Sequence, residues 1–339
     1  MLNQFLLRNK RDNQQEYTIH LFEFCNLNCS FCWQDHSNIN GIDTVREKLK
    51  PIEDFLKTEE RDRVVFNIMG GEIFADDILS ETLAQDYIDF ANQIKSLCLE
   101  YEKQCAINWV TNLVFTKTDL VRKILNNGGS IVTSYDSRGR FDRGSKKIFL
   151  ENLYAFRDFV EGVGIVLTKQ NAQHLSHRVD ETFQQMYDDG FYIYADYYMP
   201  DENAKHQAPT DQDLLDFFKK AIDVWPKIHP IADWIEKEEN FISCRTSKLV
   251  LDDGTMCFCG NLVQEDQSMY FSDIQKMDNN EIENRFLEKY DCASCEFFRR
   301  CTLGCFMQHD YKWREELPEC VYKLAFRYID MKNGVIARG

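Results

Sequence analysis

The sequence predicts an α/β chain, with a parallel sheet built as a partial (β/α)6 barrel and a small cysteine-rich domain after it. Three observations carry this. Short apolar runs alternate with longer helix-like segments through the first two thirds of the 339 residues. After about residue 240 the chain turns irregular and rich in cysteine. Thirteen cysteines, most of them at short fixed spacings, supply the metal staples that so small a second unit needs.

The elements follow in order. "YTIHLFEF" (17–24), "RVVFNIM" (63–69), "CAINWVT" (105–111), "GSIVTSY" (129–135), "VGIVLT" (163–168) and "FYIYADYYM" (191–199) read as strands, being β-branched and aromatic and mostly bounded by turn residues. "SETLAQDYIDFANQIKSLCLEYEKQ", "SKKIFLENLYAFRDFV", "HLSHRVDETFQQMYDD" and "DLLDFFKKAIDVW" repeat apolar residues at three and four positions, as helices do. Six strand–helix units in series imply right-handed crossovers and a parallel sheet. Sites on such sheets lie at the C-terminal strand ends. "CNLNCSFC" (25–32) begins directly after the first strand and falls on that face. Later, "SKLVLDDGTMCFC" (247–259) reads as two short strands about a two-residue turn at Asp253-Gly254, and "CVYKLAFRYIDM" (320–331) as a closing helix.

The net charge of −16 disfavours a long electropositive surface for nucleic acid. The basic stretch "SRGRFDRGSKK" (137–147) reads either as a solvated loop or as a local ligand patch. No apolar run is long enough to cross a bilayer, and the first residues lack the long apolar segment of a signal peptide. A cytoplasmic chain with reduced thiols is expected, and metal ligation is the default reading of its grouped cysteines.

Cys25, Cys29 and Cys32 are three thiols in eight residues. A disulfide takes two and a closed structural zinc site four, whereas catalytic metal sites keep a position open. The spacing C-x3-C-x2-C, with Phe31 before the last cysteine, resembles the radical S-adenosylmethionine (SAM) superfamily. The resemblance implies a [4Fe–4S] cluster whose fourth iron chelates SAM, and reductive cleavage of SAM to a 5′-deoxyadenosyl radical that takes a substrate hydrogen atom. It places Phe31 among the cofactor-binding residues. "MGGE" (69–72) ends the second strand. There the resemblance implies the SAM ammonium site, with Gly70 and Gly71 allowing close backbone approach and Glu72 adding a negative charge. "TSYDSRGRFDR" looks like the family's Ser-x-Asp segment followed by an arginine. It implies Ser134 and Asp136 near the ribose and Arg143 near the SAM carboxylate, with Arg140 competing for that role. "VTN" (110–112) resembles the family's Thr-Asn strand end, but Leu113 stands where a glycine is usual, and Ile73 where a proline follows GGE.

The later cysteines run C-x9-G-x4-C from Cys244 through Gly254 to Cys259, then C-x2-C-x5-C-x3-C (Cys292, Cys295, Cys301, Cys305), then Cys320. This series resembles the SPASM extension of radical SAM enzymes. The resemblance assigns Cys244, Cys259 and Cys305 to one auxiliary cluster and Cys292, Cys295, Cys301 and Cys320 to a second, three [4Fe–4S] clusters in all. Cys257 lies two residues from Cys259 on a strand and points the same way, so it is either a fourth ligand of the first auxiliary cluster or beside an open iron there. A pair of zinc sites is the alternative use of these thiolates. Cys98 and Cys105 read as core thiols. The implied organisation is a core at 15–225, a bridge at 226–243, a SPASM domain at 244–325 and a tail at 326–339.

SPASM enzymes mostly modify peptides or proteins, so the resemblance implies an oxidative cross-link or side-chain oxidation of a ribosomal peptide or protein. Anaerobic sulfatase maturases carry an Asp directly after the hairpin cysteine; Gly260 here argues against that activity. Only 24 residues precede Cys25, too few for a leader-recognition domain, so either a separate protein recognises the leader or the substrate is not a leader peptide. A flavodoxin- or ferredoxin-type protein would be the reductant. Asp196, near the end of the sixth strand beside Tyr192, Tyr194 and Tyr198, is the candidate base; aromatic packing with an Asp at the strand end is the other reading. Oxidation or rearrangement of a sugar, cyclitol or nucleoside is the alternative activity, and a non-catalytic zinc or electron-transfer protein the remote one.

Overall fold

The computed structural model describes residues 14–32, 34–38, 48–198, 204–236, 287–288, 290–298, 300–301 and 316–334, and the backbone of 247–250 and 256–257. Six parallel strands come first: β1 (Gln14–His20), β2 (Arg63–Met69), β3 (Gln104–Val110), β4 (Ser130–Ser134), β5 (Val160–Val166) and β6 (Ile193–Asp196). Between and after them lie α1 (Leu49–Leu56), α2 (Glu81–Glu100), α3 (Thr118–Asn126), α4 (Arg143–Ala155), α5 (Lys169–His177), α6 (Glu181–Asp188), α7 (Asp211–Val224) and α8 (Ile231–Glu236). The strands are neighbours in chain order and β6 does not pair with β1, so the sheet is an open half-barrel, as the strand–helix alternation predicts.

The helices begin where their sequences cap them. Ser80 Oγ accepts the Leu83 N–H at the start of α2. Asp142 and Ser145 close a reciprocal box on α4, as Thr210 and Asp213 do on α7. Residues 174–189 differ from the single helix-like run of the sequence. Arg178 is extended and the Asp180 carboxylate accepts the Phe183 N–H, so α5 ends and α6 starts anew. Periodicity survived that break because both helices turn apolar residues onto the same core, Leu175 from one and Phe183 and Met186 from the other. Helices α1, α3 and α8 had no sequence assignment; each runs nine residues or fewer, too short for periodicity to stand out.

The hairpin joins the sheet. β7 (Ser247–Val250) pairs parallel to β1, and β8 (Met256–Cys257) pairs antiparallel to β7. Val250 lies opposite Met256, and the turn expected at Asp253-Gly254 lies outside the described residues. The last helix, α9 (Val321–Lys332), packs on α7, where Tyr328 Oη donates to Asp223 at 2.8 Å. Phe297 of the cysteine-rich segment stacks on Phe326 at 5.2 Å, and Arg300 pairs with Asp330 at 3.3 Å. The described C-terminal segments thus share a core with Trp234 and Phe218. Among the described residues no helix is long and apolar enough to cross a membrane.

Candidate active site

The C-terminal strand ends open onto one cavity of about 320 Å³. Met69, Val110, Ser134, Val166 and Asp196 each reach it from the end of a different strand, and Cys25, Cys29 and Cys32 line it from the loop after β1. This is the face where the parallel topology predicts a site.

The cysteine loop is clamped from several sides. Cys25 N donates to His36 O at 3.2 Å, Ser30 N to Gly139 O at 3.0 Å, and Tyr198 Oη to Phe31 O at 3.1 Å. Gln207 Nε2 donates to Ser30 O at 3.1 Å. Beneath it lies the Gly70–Gly71 turn: Gly71 N donates to Phe22 O at 2.8 Å and Glu72 N to Phe24 O at 2.7 Å. A Cβ on Gly71 would lie 2.1 Å from Glu23 O and 2.2 Å from Phe24 O. Both glycines line the cavity, but the close approach that demands Gly71 is to the cysteine loop's own backbone.

Glu72 is fully buried and not on the cavity wall. Its carboxylate accepts Thr111 Oγ1 at 2.7 Å, Asn112 N at 2.5 Å and Phe74 N at 2.9 Å. Burial pushes its pKa up to about 7 against those three donors. The expectation of Glu72 beside the SAM ammonium therefore meets a different placement: its lone pairs are engaged in joining the turn after β2 to the turn after β3. Asn112, so held, lines the cavity and donates to Asn26 at 2.9 Å and towards Cys25 Sγ at 3.7 Å. The next residue, Leu113, has φ +59°. This left-handed conformation, rare outside glycine, is taken here by a buried leucine, with the Thr111 hydroxyl accepting its N–H.

Ser134 lines the cavity. Asp136 does not: one oxygen accepts Val166 N and Asn171 Nδ2, each at 2.9 Å, and the other accepts Arg140 Nε at 2.6 Å. Those bonds occupy the carboxylate that the sequence placed near a ribose. Of the two arginines, Arg140 faces the cavity, with its guanidinium 5.3 Å from the Phe31 ring centre, while Arg143 is exposed in the first turn of α4. Phe141 and Asp142 separate them: Asp142 is the N-cap of α4, and Arg143 is the first residue of that helix. Asn171, which fixes Asp136, and Gln34, which reaches Gly70 O and lies 2.7 Å from His20 Nε2, were missed in the sequence. Gln34 is two residues past Cys32, a position that could have drawn notice.

Asp196 faces into the cavity, open to its interior while the body of the protein encloses it. That enclosure, and then the charge of Asp136, pushes its pKa up to about 6. Tyr194 lies over Gly162 and Gly164 of β5, where an added Cβ would come within 3.1 Å of its ring. Tyr192 is exposed, and Tyr198 is turned to Phe31.

Burial raises Cys25 to about 12 and Cys29 to about 11, with the Arg140 charge pulling Cys29 down. Thiolates here need a positive partner, so the donor set fits a cationic iron centre. A second cavity, of about 190 Å³, is lined by Cys292, Cys295, Cys301 and Cys320, the four thiols the sequence grouped. Cys320 caps α9, and the Lys323 and Tyr322 N–H groups offset the burial that raises its pKa. Among the described residues no three His, Cys, Asp or Glu are gathered closely enough to hold one metal ion. Cys244, Cys259 and Cys305 lie outside the described residues, and only the backbone of Cys257 is described.

No protein-family profile and no curated protein matches this sequence. Among solved structures, anSMEcpe with bound AdoMet superposes with a TM-score of 0.64 at 16% identity, over 94% of this chain and 97% of that one. The same protein with AdoMet and the Kp18Cys peptide gives 0.63 at 16% identity, over 95% and 97%. Streptococcus suis SuiB bound to S-adenosylmethionine gives 0.51 at 14% identity, over 91% and 77%. The chain accordingly shares the fold of these proteins, an open half-barrel of six parallel strands followed by a cysteine-rich C-terminal region.

Proposed function

We propose that the chain is a radical SAM enzyme that oxidatively modifies a ribosomal peptide or protein. The observation that carries this reading is the single cavity on which three cysteines of one loop meet the ends of five strands. Cys25, Cys29 and Cys32 would hold a [4Fe–4S] cluster, which with SAM supplies a hydrogen-abstracting radical. Backbone at Gly70 and Gly71, the Ser134 hydroxyl and the Arg140 guanidinium are the groups on the wall that would orient SAM, while Glu72 and Asp136 hold the wall in shape. Asp196 is an anion above about pH 6 and would take the proton released as substrate is oxidised.

Cys292, Cys295, Cys301 and Cys320 would hold an auxiliary cluster that takes up the electron. Cys244, Cys259 and Cys305, with or without Cys257, would serve a second auxiliary cluster. The solved relative with a bound peptide supports a peptide substrate over a small one.

The test lets substrate label the cofactor. Reconstituted enzyme, unlabelled SAM and reductant are mixed anaerobically with fractionated extracts of fully deuterated cells, and 5′-deoxyadenosine is read by mass spectrometry. Deuterium from the peptide fraction alone supports this reading; deuterium from the metabolite fraction alone moves the substrate to a sugar, cyclitol or nucleoside.

A further inference from the structure

On a chain of net charge −16, residues 137–147 carry five Lys or Arg against one Asp, and residues 169–178 carry two against none. The fold brings the two stretches together. Arg138, His174, His177 and Arg178 line an open concavity with Gln170 and Gln173 on the outer surface. Arg138 N donates to Asn171 Oδ1 at 2.9 Å, which fixes that loop on α5. Neither Arg138 nor Arg178 is ion-paired among the described residues. Two nearby carboxylates are engaged, Asp180 with His174 at 3.5 Å and Asp213 with Gln173 at 2.9 Å, while Glu181, three residues past Arg178, is exposed.

The position matters as much as the charge. The next residue, Gly139, accepts the Ser30 N–H at 3.0 Å, and a Cβ there would lie 2.8 Å from Ser30 Oγ. Ser30 sits between Cys29 and Cys32, and both Ser30 and Asn28 are exposed on the outer side of the cysteine loop. One short turn thus presents Arg138 to solvent and Arg140 to the cavity, with the cysteine loop between the two sides.

We propose that this concavity is the docking surface for an acidic one-electron carrier of flavodoxin type, seated over the outer face of the cysteine loop. The inference rests on the radical SAM reading of Cys25, Cys29 and Cys32. One electron leaves the carrier's anionic flavin hydroquinone, which becomes the neutral semiquinone with no proton transferred, and enters the oxidised cluster held by those cysteines. Complementary charge steers such an encounter and acts on its rate.

The test is anaerobic stopped-flow reduction of the reconstituted holoenzyme by a bacterial flavodoxin hydroquinone, with reduction by dithionite measured alongside. In Arg138→Glu/Arg178→Glu the second-order rate with flavodoxin is expected to fall at least tenfold at low salt and to approach wild type at about 0.5 M salt, where the screening length is only a few ångströms. Arg138→Gln/Arg178→Gln is expected to fall between, and the dithionite rate and cluster spectrum to stay unchanged in both. Equal flavodoxin rates in wild type and charge-reversed enzyme, or a wild type that flavodoxin does not reduce, overturn the proposal. Equal rates together with salt-sensitive binding of a polyglutamate peptide to wild type only would reassign the surface to an acidic polypeptide. If dithionite reduces no cluster in wild type, the radical SAM reading itself fails, which is a separate result.

Discussion

The Asn112 backbone N–H donates to the Glu72 carboxylate at 2.5 Å, so one buried side chain ties the end of β2 to the end of β3 directly beneath the cysteine loop. Removing it in Glu72→Ala leaves Asn112 N, Phe74 N and the Thr111 hydroxyl without their acceptor. At about 1–3 kcal/mol for each buried orphan, a loss of at least about 3 kcal/mol is expected. Thermal unfolding checks this, and a Tm within a degree or two of wild type would refute the bracing role.

The same carboxyl gives stability a pH dependence of known sign. Its pKa is raised from 4.5 unfolded to about 7 folded, so the folded state binds the extra proton. This contribution is full below about pH 4.5 and is lost as pH rises to about 7. Glu72→Gln, less stable overall, is expected to show a flatter decline over that window in denaturant titrations at stepped pH.

Gly71→Ala forces a methyl group into the Glu23 and Phe24 carbonyls, 2.1 and 2.2 Å away. Since those atoms are backbone, the cysteine loop must lift. Reconstitution should then lose about four irons per chain, the content of one [4Fe–4S] cluster. Iron and sulfide content equal to wild type would show that the loop tolerates the methyl.

Arg140 and Arg143 separate cleanly. Arg140→Met leaves the buried Asp136 charge without its 2.6 Å partner and should cost about 3–5 kcal/mol as well as SAM affinity. Arg143→Ala, on the exposed first turn of α4, should stay within about 0.5 kcal/mol of wild type with SAM affinity unchanged. Denaturation and calorimetric titration of SAM decide it; the opposite ranking would return the carboxylate role to Arg143.

For Asp196, folded pKa about 6 predicts product formation that rises through pH 6 as the carboxylate ionises. Asp196→Asn should lower the rate of product formation on the substrate found by label transfer by about 10²–10⁴-fold while 5′-deoxyadenosine still accumulates. A rate within threefold of wild type would leave Asp196 as a strand-end residue packed beside tyrosines.

The strand order was legible because each strand–helix unit repeats the same apolar pattern, and a crossover has one favoured hand. The cysteine loop was legible for a local reason: its three ligands lie within eight residues and one strand end aims them. Leu113 was legible as a departure but not as a conformation. That a leucine takes φ +59° there follows from its burial and from its contact with Thr111, which no local rule contains.

What the sequence by itself determined is therefore whatever depends on spacing along the chain, the half-barrel order and the cysteine loop, while the resemblance to a known family supplied the grouping of Cys292, Cys295, Cys301 and Cys320, which line one cavity. Only the tertiary structure decided which charged groups face the cavity. Glu72 and Asp136 read as ligand contacts but are enclosed by donors from β3, β5 and α5, while Arg140 rather than Arg143 turns inward. The reason is desolvation: a carboxylate removed from water must gather its hydrogen bonds wherever the fold brings donors within 3 Å, and besides the local Phe74 and Arg140 those donors come from segments 30 to 40 residues away in the chain.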